Sequence, residues 1–128
     1  MIKSNSLKNK FKCQFTNGKH NAFSDASKKL GGGNSGFGPH ELIEASYACC
    51  LSIWLRINAE KHNMPLEGIS TQVSLDRSIA GEVKLEYSVD LVGPLNEEQR
   101  NKLMDFAKTC PVRKTLLSNI SFHEKNKI

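Results

Sequence analysis

The chain has 128 residues, of which 38% are hydrophobic and 24% are charged, and its formal net charge is +5. This length predicts a single domain over residues 1–128, and the composition excludes a disordered chain. No apolar stretch of about 18 residues could span a membrane, and no apolar segment near the N-terminus would direct secretion. We therefore expect a cytoplasmic protein without a membrane partner.

Positive charge is concentrated in residues 1–30, which hold seven lysines and a single acidic residue, Asp25. Such a segment is typical either of phosphate binding or of a sheet edge that lysines protect from pairing with other chains. Aromatic residues and arginines do not alternate there as they do on a nucleic-acid platform. We therefore expect no nucleic-acid partner.

Short strands and a glycine-rich loop are predicted before the first helix. Alternating apolar positions predict a strand over residues 7–16, and Asn17-Gly18 predicts a hairpin turn with a returning strand over 20–26. Residues 28–38 contain five glycines. Because they match neither common phosphate-binding glycine motif, they predict a mobile loop near a site.

A long helix is predicted over residues 39–60. Gly38 suits the N-cap, Pro39 the first helical position and Glu41 the first turn. Apolar and small residues nearly encircle the helix over residues 42–59, which is typical of a helix buried inside a protein or inside a dimer. For a chain of this size we favour the dimer.

Two strands and a second helix follow. Strict alternation over residues 69–75 and 83–91 predicts an antiparallel pair with one packed face and one solvated face. Asn96 is a suitable N-cap for the second helix, which Pro111 either ends or restarts. We expect Leu103, Phe106 and Ala107 on the buried side of that helix. With a last strand over residues 119–124, the order is β-β-α-β-β-α-β, and the fold class is α+β.

The four cysteines, at positions 13, 49, 50 and 110, favour reduced thiols over a disulfide scaffold because we find no secretion signal. Neither they nor the four scattered histidines have the spacing of a zinc site. We therefore expect no metal and no other cofactor.

Two of these cysteines lie where a reactive thiol is plausible. Cys50 falls in the middle of the first helix, where it is either a packing residue or a reactive group. Cys110 precedes Pro111 and is either an incidental thiol at a helix end or the N-cap of a new helix that begins at Pro111. In the second case free N–H groups, together with Arg113 and Lys114, would favour its thiolate.

The segment from Gly38 to Cys50 resembles the helix signature of the OsmC/Ohr family, P-x-E-L-(apolar)-x-A-x-x-A-x-C. Cys110-Pro111-Val112 resembles the second cysteine motif of that family, and the β-β-helix segment between them has a suitable length. Gly31-Gly32 and residues 95–100 are also similar to one branch of the family. The resemblance covers roughly residues 25–122.

The resemblance implies an OsmC-like fold, with antiparallel sheets wrapped around two central helices in an intertwined homodimer. It also implies a thiol peroxidase in which Cys50 attacks the distal oxygen of an organic hydroperoxide and becomes a sulfenic acid. Cys110 would then condense with that sulfenic acid to a disulfide. A small dithiol of the lipoyl type would be the reductant, and Cys49, at a position where the family usually has alanine, would be a packing residue.

The chain departs from the catalytic members of the family at two positions. Those members use an arginine in the loop before the helix and a glutamate directly after the helix proline. Here no arginine precedes Arg56, and His40 follows Pro39. Lys28, Lys29 or His40 would have to supply the positive charge, although lysine lacks the bidentate fork of arginine.

These departures leave a second hypothesis. A dimeric, non-enzymatic OsmC-like protein could use the same interface to bind a small hydrophobic ligand or to sense redox state. Cys50 and Trp54 would then line an apolar pocket.

Overall fold

The computed structural model describes residues 1–126. These residues form two compact units. The first unit contains residues 1–45 and 75–84, and the second contains residues 46–74 and the chain from residue 85 onward. A 23-residue helix, α1 (Pro39–Lys61), begins in the first unit and continues in the second.

The first unit contains a three-stranded antiparallel sheet. Its strands are β1 (Lys3–Ser6), β2 (Cys13–Thr16) and β3 (Asn21–Ser24), in the order β1-β2-β3. The expected turn at Asn17-Gly18 is confirmed: the Asn17 side-chain oxygen accepts from two backbone N–H groups, and Gly18 has φ +93°, which favours glycine.

The single strand predicted over residues 7–16 is wrong. Residues 7–12 make a turn, closed by a 2.9 Å hydrogen bond from the Leu7 N–H to the Lys12 carbonyl. Only β2 falls inside the predicted range. The polar strand β1, which carries no apolar alternation, precedes the turn.

The glycine-rich loop is tied to the Asp25 carboxylate, which is 4% exposed. This carboxylate accepts hydrogen bonds from the Ser35 N–H at 3.0 Å and hydroxyl at 2.8 Å, and from the N–H groups of Ala26 at 2.7 Å and Phe11 at 3.2 Å. These bonds, led by that from the Ser35 N–H, lower the pKa of Asp25. A Cβ on Gly32 would overlap the Ala26 carbonyl, so the loop packs closely against its neighbours.

Strands β4 (Gly68–Asp76) and β5 (Lys84–Val92) form a two-stranded sheet, as the alternation predicts. The N–H just before β4, on Glu67, donates to the carbonyl of Val92 at 2.8 Å, as expected for an antiparallel pair. Apart from Asp76 and its neighbour Leu75, which belong to the first unit, β4 lies in the second unit.

Helices α2 (Glu97–Ala107) and α3 (Pro111–Leu116) follow β5. Asn96 and Gln99 form a reciprocal capping box at the start of α2. Arg100 donates to the carbonyls of Leu91 at 2.9 Å and Gly93 at 3.2 Å, which ties α2 to the end of β5. Because α3 begins at Pro111, this proline restarts a helix, and Cys110 is the N-cap of that helix.

The core of the second unit is built on one face of α1. Tyr47, Leu51, Leu55 and Ala59 recur every four residues and are at most 3% exposed. They pack with buried residues of β5, α2 and the segments beside them: Leu91, Leu95, Leu103, Ala107 and Cys110. Phe106, expected on the buried side of α2, is partly buried and packs against this core.

The strand predicted over residues 119–124 is wrong. These residues have irregular backbone and exposed side chains, and Phe122 is 96% exposed. A strand requires a neighbouring strand to satisfy its backbone groups, and residues 119–124 have none in the described part of the chain. Within residues 1–126 the order is therefore β-β-β-α-β-β-α-α, and the α+β class is confirmed. None of the described helices combines the length and apolar character needed to cross a membrane.

Candidate functional site

The thiols of Cys50 and Cys110 are in contact in the second unit. The Sγ atoms of Cys110 and Cys50 lie 2.7 Å apart, within hydrogen-bonding distance, and both residues are free cysteines. Cys50 lies near the middle of α1 and is partly exposed, whereas Cys110 is 0% exposed. A small molecule can therefore reach the first thiol more readily than the second.

Trp54 holds the end of α2 against α1. Its indole Nε1–H donates to the Phe106 carbonyl at 3.1 Å and to the Thr109 hydroxyl at 3.0 Å. Thr109 directly precedes Cys110, and Trp54 lies one helical turn after Cys50. These bonds therefore bring the two cysteines together.

A strand contact fixes the part of α1 that carries Cys50. The Thr71 hydroxyl on β4 donates to the Ala48 carbonyl at 3.1 Å and lies 3.1 Å from the Ser52 hydroxyl. Both partners are two residues from Cys50. The position of this thiol is thus set by β4 as well as by the end of α2.

Burial raises the pKa of the Cys50 thiol, and the hydrogen bond with Cys110 raises it further. A hydrogen bond from the backbone N–H of Val112 opposes this effect. Because burial has the largest effect, this arrangement favours the protonated thiol of Cys50 over its thiolate.

Two tyrosines and an arginine surround the start of α3. Arg113 Nη1 donates to the Tyr87 hydroxyl at 3.3 Å, and the guanidinium also hydrogen-bonds Tyr47. The two tyrosine rings meet edge to face, with centroids 5.5 Å apart. Sequence reasoning missed both tyrosines. The signal for one of them was present, because the spacing of three residues places Tyr47 and Cys50 on the same face of α1.

Residues 32–125 match the family model of OsmC-like proteins. The chain belongs to the OsmC-like protein family. This confirms the family expected from the helix signature and the second cysteine motif. No curated protein matches the sequence significantly.

Solved OsmC-like structures share the fold. An OsmC-like protein from Mycoplasma pneumoniae has TM-score 0.75 at 21% identity, covering 91% of this chain and 85% of that chain. An organic hydroperoxide resistance protein OsmC from Legionella pneumophila has TM-score 0.64 at 24% identity, covering 93% and 89%. The organic hydroperoxide resistance protein OhrB of Bacillus subtilis has TM-score 0.63 at 22% identity, covering 93% and 90%. At these identities the likeness shows the fold.

Other residues singled out from the sequence lie elsewhere in this OsmC-like protein. Cys49 was expected to pack, but it is exposed, because its position on α1 points away from the buried face. Lys28, Lys29 and His40 are exposed residues of the first unit. Glu41 accepts from the Gly38 N–H at 3.0 Å and so caps α1.

The second unit also contains a cavity of about 380 Å³ on the sheet of β4 and β5. Its lining excludes Cys50 and Trp54; the lining residues are Gln72, Val73, Ser74, Glu86, Tyr87 and Ser88. Among residues 1–126, no three metal-ligating side chains cluster as a metal site would require.

Proposed function

We propose that this OsmC-like protein is a cysteine-based peroxidase that reduces organic hydroperoxides. The 2.7 Å contact between the Cys50 and Cys110 sulfurs carries the proposal. Two of the structural relatives described above are named organic hydroperoxide resistance proteins, which supports the same substrate class.

The unequal exposure of the thiols supports different roles for them. Cys50, which is partly exposed, attacks the distal peroxide oxygen as a thiolate. The O–O bond breaks, Cys50 becomes a sulfenic acid, and the alkoxide leaves with a proton as the alcohol. The peroxide is reduced by two electrons, and the sulfur is oxidised by two.

Cys110, fully buried against Cys50, is the resolving thiol. Its sulfur attacks the sulfenic sulfur, the S–O bond breaks, and the hydroxyl leaves as water with the thiol proton. The resulting disulfide is reduced by a small dithiol of the lipoyl type, which becomes a cyclic disulfide as both cysteines regain their protons.

An exposed apolar face of α1 supports a homodimer. Cys49, Ile53 and Ile57 lie on successive turns, and the two isoleucines are 61% and 50% exposed. Apolar side chains aligned on one helix face are costly in water. A second copy of the chain would cover this face.

One equivalent of cumene hydroperoxide, followed by peptide mapping without reductant, tests the proposal. The Cys49→Ser variant is used, so that the peptide from α1 has a single cysteine. We expect the loss of two hydrogens, located in a Cys50–Cys110 disulfide, and none in a sample without peroxide. Thiols that stay free would contradict the proposal and favour the ligand-binding alternative.

A further inference from the structure

Arg113 is a side chain near the thiol pair that the proposed reaction does not use. Its guanidinium hydrogen-bonds the hydroxyls of Tyr87, on β5, and Tyr47, on α1. Arg113 itself belongs to α3. One side chain therefore connects three elements of the second unit.

The other arginines of this unit hydrogen-bond to backbone carbonyls and not to side-chain hydroxyls. Arg100 donates to the carbonyls of Leu91 and Gly93, and Arg56 donates to the carbonyl of Glu67 at 3.5 Å. Among the arginines of the described chain, Arg113 alone bridges two side-chain hydroxyls. Its planar set of N–H groups suits that geometry.

Tyr47, one of the two tyrosines that Arg113 contacts, lies on the face of α1 that carries Cys50. Tyr47 precedes Cys50 by three residues and is 3% exposed, so its ring has little freedom to move. Two groups meet the Cys50 sulfur, the Val112 N–H and the Cys110 thiol, and these residues lie one and three positions before Arg113 in the chain. Fixing Arg113 therefore fixes both of them.

We propose that Arg113 is a positioning residue, which by bridging the Tyr47 and Tyr87 hydroxyls holds Val112 and Cys110 against the Cys50 sulfur. The inference deepens the proposed peroxidase function and rests on it for its biological meaning. The contact of Val112 and Cys110 with the Cys50 sulfur, however, affects the reactivity of the Cys50 thiol, and this reactivity can be measured without peroxide.

Few titratable groups lie where they could change the reactivity of the Cys50 thiol. In the described chain Cys110 is linked to Cys50 by a hydrogen bond and to Tyr47 by charge, and Tyr47 in turn is linked to Tyr87 and Arg113. Burial raises the pKa of Tyr47, and the hydrogen bonds to the tyrosines raise that of Arg113, so both keep their charge state around neutral pH.

The test is the pH dependence of Cys50 alkylation by iodoacetamide, followed by peptide mass spectrometry in the reduced Cys49→Ser protein. In Arg113→Met we expect the midpoint of the rate profile to rise by about one pH unit, because the Val112 N–H no longer meets the sulfur. Lys114→Met removes the same charge from an exposed neighbouring position and should leave the midpoint unchanged.

Two further variants separate position from charge. Arg113→Lys keeps the charge but cannot bridge two hydroxyls as a planar guanidinium does, so we expect a shift close to that of Arg113→Met. Tyr87→Phe keeps the ring and removes one hydroxyl, so we expect a smaller rise. If Arg113→Met fails to fold, the Tyr87→Phe profile decides the matter.

An unchanged midpoint in Arg113→Met, or in Tyr87→Phe where that variant decides, would overturn the proposal. So would a wild-type profile in Arg113→Lys, which would assign the effect to charge alone. Because alkylation needs no peroxide, a protein with the expected shifts and no disulfide after cumene hydroperoxide would contradict the proposed function and leave the role of Arg113 standing.

Discussion

The indole Nε1 of Trp54 lies 3.0 Å from the Thr109 hydroxyl, which joins the residue one turn after Cys50 to the residue directly before Cys110. The Thr109 hydroxyl in turn donates to the Phe106 carbonyl at 2.7 Å, closing the end of α2. The two thiols are 60 residues apart in the chain, yet they meet without a covalent bond because these neighbouring groups are fixed.

Trp54→Phe should therefore slow disulfide formation. The ring stays apolar, but the N–H that holds Phe106 and Thr109 is lost. We expect the rate of Cys50–Cys110 disulfide formation to fall about fivefold, as the loss of a hydrogen bond worth about 1 kcal/mol would cause. Trapping of the Cys50 sulfenic acid with dimedone, against time, measures it.

The control for this change is Arg56→Met. It also removes side-chain N–H donors from α1, but these reach the Glu67 carbonyl at 3.5 Å and not the end of α2. Equal slowing in both variants would show that general loosening of α1, rather than the bond to Thr109, sets the rate.

The cysteine variants separate the two proposed roles. Cys50→Ser should abolish peroxide consumption, because serine does not form a comparable nucleophile. Cys110→Ser should consume about one equivalent in forming the sulfenic acid and, when peroxide is in excess, about one more as Cys50 progresses to sulfinic acid, and then stop. Consumption of cumene hydroperoxide and intact mass measure both outcomes.

Cys13→Ser and Cys49→Ser are the controls for these variants. Neither residue is in the thiol contact, so both proteins should turn over like the wild type. If Cys50→Ser also turned over like the wild type, the assignment of the nucleophile would be wrong.

The rate of the first step should rise with pH into the alkaline range. Burial and then Cys110 raise the pKa of Cys50, and only the thiolate attacks. The single-turnover rate should therefore still be rising above about pH 8.5, the usual pKa of a free thiol. Cys110→Ala removes the second cause and should move the midpoint to lower pH, whereas a midpoint unchanged by that substitution would contradict the coupling.

The sequence predicted those elements whose signals are local. Gly38, Pro39 and Glu41 mark the start of α1, and period-two alternation marks β4 and β5. Strand β1 has only polar and exposed residues, so no hydrophobic pattern predicts it. Residues 119–124 are the opposite case. Their apolar residues predict a strand, but the described chain has no strand with which they pair.

The candidate site was only partly predictable. The motif resemblance singled out Cys50 and Cys110, but their contact depends on Trp54 and Thr109, which are 55 residues apart. The bridge from Arg113 to two tyrosines needs three elements assembled at once. Sequence proximity to Cys110 could identify Arg113 as a nearby charge, but could not identify its partners.

The proposed homodimer predicts that Ile53→Glu dissociates the protein. A carboxylate on the exposed apolar face of α1 would have to lose its hydration when a second copy covers that face. Sedimentation should change from the dimer mass to the monomer mass at micromolar concentration. Ile79→Glu, at an isoleucine outside α1 that is 51% exposed, should stay dimeric; a monomeric wild type would contradict the proposal.

Asp25 should make the first unit sensitive to acid. Hydrogen bonds from Ser35, Ala26 and Phe11 lower its pKa in the folded chain. The carboxylate therefore stabilises the fold fully above its unfolded pKa of about 3.9, and this contribution is lost as pH falls through the lower folded value. Asp25→Asn should have a lower Tm than the wild type at pH 6, since the neutral amide accepts these bonds less strongly.

The difference in Tm between wild type and Asp25→Asn should then shrink below about pH 4, because protonation removes the same charge from the wild type. Asp90→Asn, at an exposed position on β5, controls for the loss of a carboxylate without such partners and should change Tm little at pH 6. A difference for Asp25→Asn that stayed constant down to pH 3 would mean that side-chain shape, rather than the ionised carboxylate, holds residues 25–35 together.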